Sequence, residues 1–189
     1  MGKKFSKALV FLCVGLALVL TGAVSAQAVG VIDVDIFSGH TTTGGGAPYS
    51  GLVGSFTSPD ILFATNTGYA WHPFGQSAFG ADLTGFLSVA ADDTYTFTLN
   101  SDDGSLLFID AALVVDNGGP HSPTIVSNST FLTAGIHPFE VQFFEDFSGP
   151  SGVDLTLPSG VTYVPLPPSV LLMGSGLLGL VAWRRRFLG

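Results

Sequence analysis

Basic residues are absent from the central part of this sequence. The six Lys and Arg residues lie near the two ends, at positions 3, 4 and 7 and at positions 184–186, whereas all 14 Asp and Glu residues lie between Asp33 and Asp154. A carboxylate in the central segment therefore has no Lys or Arg partner there, and it must be solvated, hydrogen-bonded or neutralised by a bound cation. Because phosphate binding needs clustered Lys and Arg, nucleic acid is excluded as an expected partner.

Cysteine is nearly absent as well. The single cysteine, Cys13, lies in an apolar N-terminal run, so the rest of the chain has no disulfide, no thiolate nucleophile and no cysteine metal site. The four histidines, at positions 40, 72, 121 and 137, are not spaced like metal ligands. We therefore expect them to be structural or surface groups.

The N-terminal 28 residues have the pattern of a secretory signal peptide. Three lysines precede an apolar run from Ala8 to Leu20, and small residues follow up to Ala28. A retained membrane anchor fits less well because the apolar run is short. We therefore predict that residues 1–28 direct secretion and that a domain begins at residue 29.

The C-terminal segment, residues 164–189, combines three features in a fixed order. The motif Val164-Pro165-Leu166-Pro167 precedes an apolar stretch that is long enough to cross a bilayer, and Arg184, Arg185 and Arg186 follow it. These arginines should remain cytoplasmic. Hydropathy alone is equally consistent with a permanent anchor.

This order resembles the PEP-CTERM sorting signal of bacteria that make extracellular polysaccharide, with Leu166 where the usual motif has Glu. The resemblance implies processing near the prolines by an exosortase-type enzyme. It also implies a bacterial protein that is held transiently in the membrane and then reaches the cell surface or the extracellular matrix.

Residues 29–163 show the alternation typical of β-strands. Tyr95, Phe97 and Leu99 alternate with threonines, and a second alternation runs from Phe139 to Phe143. Further strands are expected at residues 85–90, 106–109, 112–116 and 153–157, separated by turns rich in Gly, Asn and Pro. Several short strands at this spacing predict an all-β fold, an antiparallel β-sandwich or a barrel.

Two adjacent aspartates, Asp102 and Asp103, precede Gly104 between two apolar segments. An Asp-Gly step is a common hairpin turn, so a plain turn is one interpretation. The other is a cation site, because neighbouring carboxylates repel each other unless positive charge is bound between them.

The order of motifs across residues 48–157 resembles the PA14 (PA-fourteen) domain of anthrax protective antigen, flocculins and bacterial adhesins. The resemblance rests on Asp102-Asp103-Gly104, on Ile109-Asp110 in the next strand, and on Ala134-Gly135-Ile136-His137 before a later strand. It implies a β-sandwich. It also implies that, as in sugar-binding members, the aspartate pair has a cis peptide bond and holds a Ca²⁺ ion that contacts sugar hydroxyls.

The same resemblance implies where further ligands should lie. Flocculin-type members use an Asn in the loop that corresponds to residues 145–152, and this chain has none there. Asp146 is the candidate third metal ligand in its place, with Glu145 as the alternative. Asn117 begins a segment that is either a plain turn after a strand or, together with His121, a specificity loop beside the sugar. Trp71 is either a core aromatic residue or a candidate to stack on a sugar ring.

The function predicted from the sequence is therefore calcium-dependent carbohydrate binding by a secreted, surface-sorted domain. The alternative is a structural component of the polysaccharide matrix that binds no specific sugar. No arrangement of residues identifies a catalytic acid–base pair, so we do not expect an enzyme.

Overall fold

The computed structural model describes residues 32–40, 49–64, 70–75, 77–146 and 149–164. In these ranges the chain forms eleven β-strands. They are β1 (Ile32–Gly39), β2 (Ser50–Ser58), β3 (Leu62–Phe63), β4 (Phe79–Val89), β5 (Asp93–Asp102), β6 (Ser105–Ile109), β7 (Ala112–Asn117), β8 (Thr124–Leu132), β9 (Gly135–Glu145), β10 (Gly152–Thr156) and β11 (Val161–Tyr163).

The predicted signal peptide and the apolar sorting segment both lie outside the described residues. Within the described ranges, no helix has the length and apolar character needed to cross a membrane.

The strands form two antiparallel sheets that face each other. The larger sheet has the order β2-β1-β4-β9-β6-β7, with β11 also paired to β4, and the smaller sheet has the order β3-β10-β5-β8. Of the two architectures left open by the sequence, a sandwich and a barrel, the chain adopts the sandwich.

The core lies between the sheets and is built from the alternating residues. In β5 the side chains of Tyr95, Phe97 and Leu99 are buried while the threonines between them face solvent or lie partly exposed. Phe139 and Phe143 of β9 are buried from the opposite sheet. The predicted all-β fold and the period-two strands are therefore confirmed, because one face of each sheet covers the other.

Replacing Phe97 with Ala is expected to lower the free energy of unfolding by about 3–5 kcal/mol, since the ring is fully buried and its loss leaves a cavity. Urea denaturation of the domain measures the change. Phe131→Ala is the control, because Phe131 is 61% exposed on the neighbouring strand β8. Equal effects of the two substitutions would contradict the assignment of the core.

Candidate functional site

Three connections between the two sheets meet at one end of the sandwich. The chain crosses from the smaller to the larger sheet between β5 and β6, and it crosses back after β7 and again after β9. Strand register brings the three crossings together. Ser105 of β6 pairs with both Asn117 and Phe143, and Asp102 of β5 pairs with Gly152.

The Asp102–Asp103 pair occupies the first crossing, and the peptide bond between the two residues is cis. This is the geometry that the resemblance implied. Asp103 is only 6% exposed, and its carboxylate accepts two backbone hydrogen bonds. The amide of His121 donates to Oδ1 at 2.9 Å and the amide of Asp146 donates to Oδ2 at 3.0 Å. Through these two hydrogen bonds, Asp103 connects the second and third crossings to the first.

Asp102 lies beside Asp103 but is differently placed. Its side chain is half-buried, and no hydrogen bond to its carboxylate is found among the described residues. Burial raises the pKa of Asp102, the negative charge of Asp103 raises it further, and His121 opposes the shift. This carboxylate is therefore available for an external ligand.

Glu145, the last residue of β9, is the third acidic group at this end. It is 2% exposed, and its Oε2 has no hydrogen-bond partner in the described part of the chain. Burial raises its pKa to about 8, and the charges of Asp103 and Asp102 act in the same direction, against smaller opposing effects of the backbone at Asp103 and Gly149. From the sequence, Glu145 was the alternative to Asp146 as the third ligand.

The three acidic groups line a pocket of about 360 Å³. His121 and Pro120 contribute from the second crossing, and Gly149 and Pro150 from the third. Within the described ranges, no group of three or more His, Cys, Asp or Glu side chains is arranged to chelate a metal by itself. A hard cation held here would therefore need oxygens from the backbone, water or a bound ligand as well.

Asn117 and His121 shape the second crossing. Asn117 is buried, and its Nδ2 donates to Ser101 Oγ at 2.9 Å and to the Thr124 carbonyl at 3.0 Å. In the ring of His121, Nε2 lies 2.9 Å from the carbonyl oxygen of Asn117, and Nδ1 lies 3.0 Å from the carbonyl oxygen of Ser122. The hydrogen bonds of Asn117 thus hold the second crossing in place. His121, in contrast, lines the pocket.

Asp146 contributes its backbone amide to the site and directs its side chain elsewhere. Its Oδ1 lies 3.2 Å from Nε2 of His40, near the end of β1. The pocket is lined by the preceding residue, Glu145, instead. A metal-binding role for the Asp146 side chain stays a prediction.

Trp71 lies in an aromatic cluster. Its ring stacks on Phe63 with a centroid separation of 4.3 Å and meets Phe79 and Phe143 edge-on at 5.4 and 5.6 Å. It does not line the pocket beside the aspartate pair. Its proposed contact with a sugar is therefore not supported by its position relative to that pocket.

Gly104, in the first crossing, lies close to Gly119 of the second crossing and to Phe144 of β9. A Cβ at this position would lie 2.7 Å from the carbonyl oxygen of Gly119 and would overlap the ring of Phe144. We expect Gly104→Ala to lower the free energy of unfolding by about 1–3 kcal/mol through overpacking, and to displace the 118–123 loop.

Thermal denaturation and the amide chemical shifts of residues 118–123 measure these two effects. Gly75→Ala separates backbone strain from overpacking, because a Cβ there meets nothing within 4 Å while its positive φ disfavours Ala. It should lower stability without moving the amide signals of residues 118–123. A Gly104→Ala variant with wild-type stability and unchanged shifts would show that the close approach is unimportant.

Comparison with known proteins places these features in a family. The PA14 domain model matches residues 34–165, which includes all three crossings. The chain belongs to the PA14 domain family. The PEP-CTERM protein-sorting motif matches residues 164–186, so both resemblances seen in the sequence are confirmed.

Solved structures share the fold at low sequence identity. The PA14 domain of an antifreeze protein, MpAFP, has a TM-score of 0.56 at 15% identity, covering 73% of this chain and 87% of that chain. A PA14 sugar-binding domain from an RTX adhesin has a TM-score of 0.52 at 16% identity, covering 69% and 91%.

An anti-sigma factor domain-containing protein has a TM-score of 0.59 at 19% identity, covering 73% of this chain but 46% of its own length. The chain therefore spans less than half of that protein. No curated protein matches the sequence.

Proposed function

We propose that this PA14 domain binds carbohydrate at the aspartate pair and that binding depends on Ca²⁺. The observation that carries the proposal is the convergence of Asp102, Asp103 and Glu145 on one pocket, with a buried Glu145 oxygen that has no partner among the described residues. The solved PA14 domain from the RTX adhesin, whose description is sugar-binding, supports the same ligand class.

The residues present fit a calcium ion. Carboxylate oxygens are the donors that Ca²⁺ prefers, and the pocket offers them without any Lys or Arg to compete. Asp102 and Asp103 would hold the ion. Glu145, which is buried in the pocket lining, would supply further negative charge. Because the protein supplies too few side-chain oxygens for six to eight ligands, the ion would also take oxygens from outside the domain.

Sugar hydroxyls are a suitable external ligand. The aspartate pair would hold the ion, and the ion's Lewis acidity would attract hydroxyl oxygens of a sugar. The chain's own residues would position the ring. His121 and Pro120 form one wall of the pocket, and Gly149 and Pro150 form another. The exposed part of the site is therefore set by two loops, which should select the sugar.

Binding without turnover is the expected activity of the domain. Asp103 is held by the amides of His121 and Asp146, and Asp102 and Glu145 line the same pocket. We therefore assign the three groups to holding an ion and identify no catalytic acid–base pair among them. We propose that the sorting motif directs this binding domain, residues 29–163, to the cell surface or extracellular matrix of a bacterium after secretion and exosortase processing.

A structural role in the matrix is the second candidate, and the outer face of the larger sheet favours it. Asp35 of β1 lies opposite Asp82 of β4. Burial raises the pKa of Asp82 to about 6, with contributions from the charges of Glu140 and Asp35. Such an acidic face would bind divalent ions diffusely and without a sugar.

A glycan screen separates the two candidates. The purified domain is applied to immobilised glycans with Ca²⁺ and then with excess chelator, and Asp102→Asn is tested in parallel. Calcium-dependent binding of defined glycans that is lost in Asp102→Asn supports the lectin proposal. The matched control is Asp82→Asn on the outer sheet face, which should bind like the wild type. Retention on polysaccharide that does not change in Asp102→Asn would favour the matrix role.

A further inference from the structure

A second groove lies on the outer face of the larger sheet, away from the aspartate pair. Its volume is about 360 Å³. The exposed or partly exposed side chains of Phe86, Phe108 and Pro138 line it, together with the acidic residues Asp33 and Glu140. Phe86 is 44% exposed although it sits in the middle of the sheet. The groove is at the small end of the range for binding sites and fits a few side chains rather than a large ligand.

The end of the domain lies directly beside this groove. Strand β11 pairs with the edge of β4 from Val89 to Leu87, and the amide of Val164 then donates to the carbonyl of Phe86 at 2.8 Å. Strand β1 pairs with the same edge of β4 from Thr84 onward. Only Gly85 and Phe86 separate the two paired stretches, so the chain beyond Val164 cannot continue along β4.

The sequence after Val164 also prevents further pairing. Three of the next four residues are prolines, at positions 165, 167 and 168, and proline has no amide hydrogen to donate to a sheet. The inner face is closed at this point, because Ile32, Leu83 and Leu87 are fully buried in the core. The outer face, with the Phe86 groove, is the surface that is open beside Val164.

The sorting motif begins at this same residue. The PEP-CTERM match starts at residue 164, and the PA14 match ends at residue 165. No spacer therefore separates the folded domain from the motif, and the first residue of the motif is still hydrogen-bonded to the sheet.

We infer that the Phe86 groove is the docking site for the proline segment of this chain's own sorting tail, residues 165–168. Proline-rich segments favour the extended polyproline II conformation, lose little entropy on binding and dock in aromatic-lined grooves. Leu166 is the apolar residue between these prolines, and we assign to it the contact with the groove that Phe86 and Phe108 line. Docking holds the motif against the domain, so a processing enzyme must lift the segment from the groove before cutting near the prolines.

A photo-crosslinking experiment on the full chain in bacterial membranes tests this inference. Benzoylphenylalanine replaces Leu166, the cells are irradiated, and the crosslinked peptides are identified by mass spectrometry. The expected products are crosslinks within one chain to the segments around Phe86, Phe108 or Pro138. Phe86→Ser should reduce their yield at least fivefold.

Phe131→Ser is the matched control, because Phe131 is also an exposed aromatic residue but belongs to the other sheet. It should leave the crosslink yield unchanged, and circular dichroism checks that both variants are folded.

Crosslinks to lipid, to another part of the domain or to a second copy would overturn the inference. An unchanged yield in folded Phe86→Ser would overturn it too. Crosslinks in the groove from a probe at Val31, with none from Leu166, would assign the groove to the segment before β1 instead. None of these outcomes depends on calcium or sugar binding.

Discussion

Replacing Asp103 with Ala is expected to lower the free energy of unfolding by about 2–4 kcal/mol and to abolish calcium binding. The carboxylate of Asp103 accepts hydrogen bonds from the amides of His121 and Asp146, which belong to two different loops. Its removal leaves both donors unpaired, at a cost of about 1–3 kcal/mol for each buried donor and toward the lower end for these half-buried ones. Urea denaturation in the presence of chelator measures the stability without any contribution from a bound ion.

Asp102→Ala is the control that separates ion binding from loop anchoring. The carboxylate of Asp102 accepts no hydrogen bond from the described residues and lies next to a like charge. Its loss should change the free energy of unfolding by less than about 0.5 kcal/mol, as at an ordinary surface position, while calcium binding is still lost. If the two variants were equally stable, Asp103 would not anchor the loops as described.

Calcium binding is expected to weaken about fiftyfold between pH 8 and pH 6, because one proton must be released and Glu145 is already about half protonated at pH 8. Burial holds the pKa of Glu145 at about 8, so this group is largely protonated at pH 7. A cation beside it favours the ionised form, and binding must then release a proton. Calorimetric titrations at pH 7 in buffers of different ionisation enthalpy count the protons released, and about one is expected.

The stability of the calcium-free domain should change in the opposite direction. Because the pKa of Glu145 is raised above its ordinary value of 4.5, the native state holds an extra proton between pH 4.5 and 8. Stability therefore falls as pH rises through that window. Glu145→Gln should remove both this fall and the proton release. Calcium binding that is independent of pH between 6 and 8 in the wild type would contradict the described position of Glu145.

Much of the fold follows from the alternation of side chains. The strands predicted around Phe97 and Phe139 are found in β5 and β9, because their aromatic residues fall on one face at every second position. Strand β8 was not predicted, because polar Asn128 faces the opposite sheet while apolar Ile125 and Phe131 face outward, which breaks the expected alternation. Strand β1 was missed although Asp33 and Asp35 alternate with buried Ile and Val, a signal that the sequence does carry.

The candidate site was predictable only in part. Asp102 and Asp103 could be found because they are adjacent in sequence and precede a glycine. Glu145 could not be distinguished from Asp146, since the direction of two successive side chains at the end of β9 depends on which face of the strand turns toward the crossing. Asn117 was predicted to face the ligand, but its amide is used to support the loop, and that choice depends on a tertiary contact with Ser101.

A calorimetric titration of Ca²⁺ into residues 29–164 tests the central claim most directly, with the double variant Asp102→Ala/Asp103→Ala titrated alongside. We expect saturable binding of one ion to the wild type and no binding to the variant. The wild type should also gain about 2.7 kcal/mol in its free energy of unfolding when the free Ca²⁺ concentration is a hundred times the dissociation constant. Weak binding that does not saturate and is the same in both proteins would contradict the central claim, and would leave the aspartate pair as a turn in an acidic matrix protein.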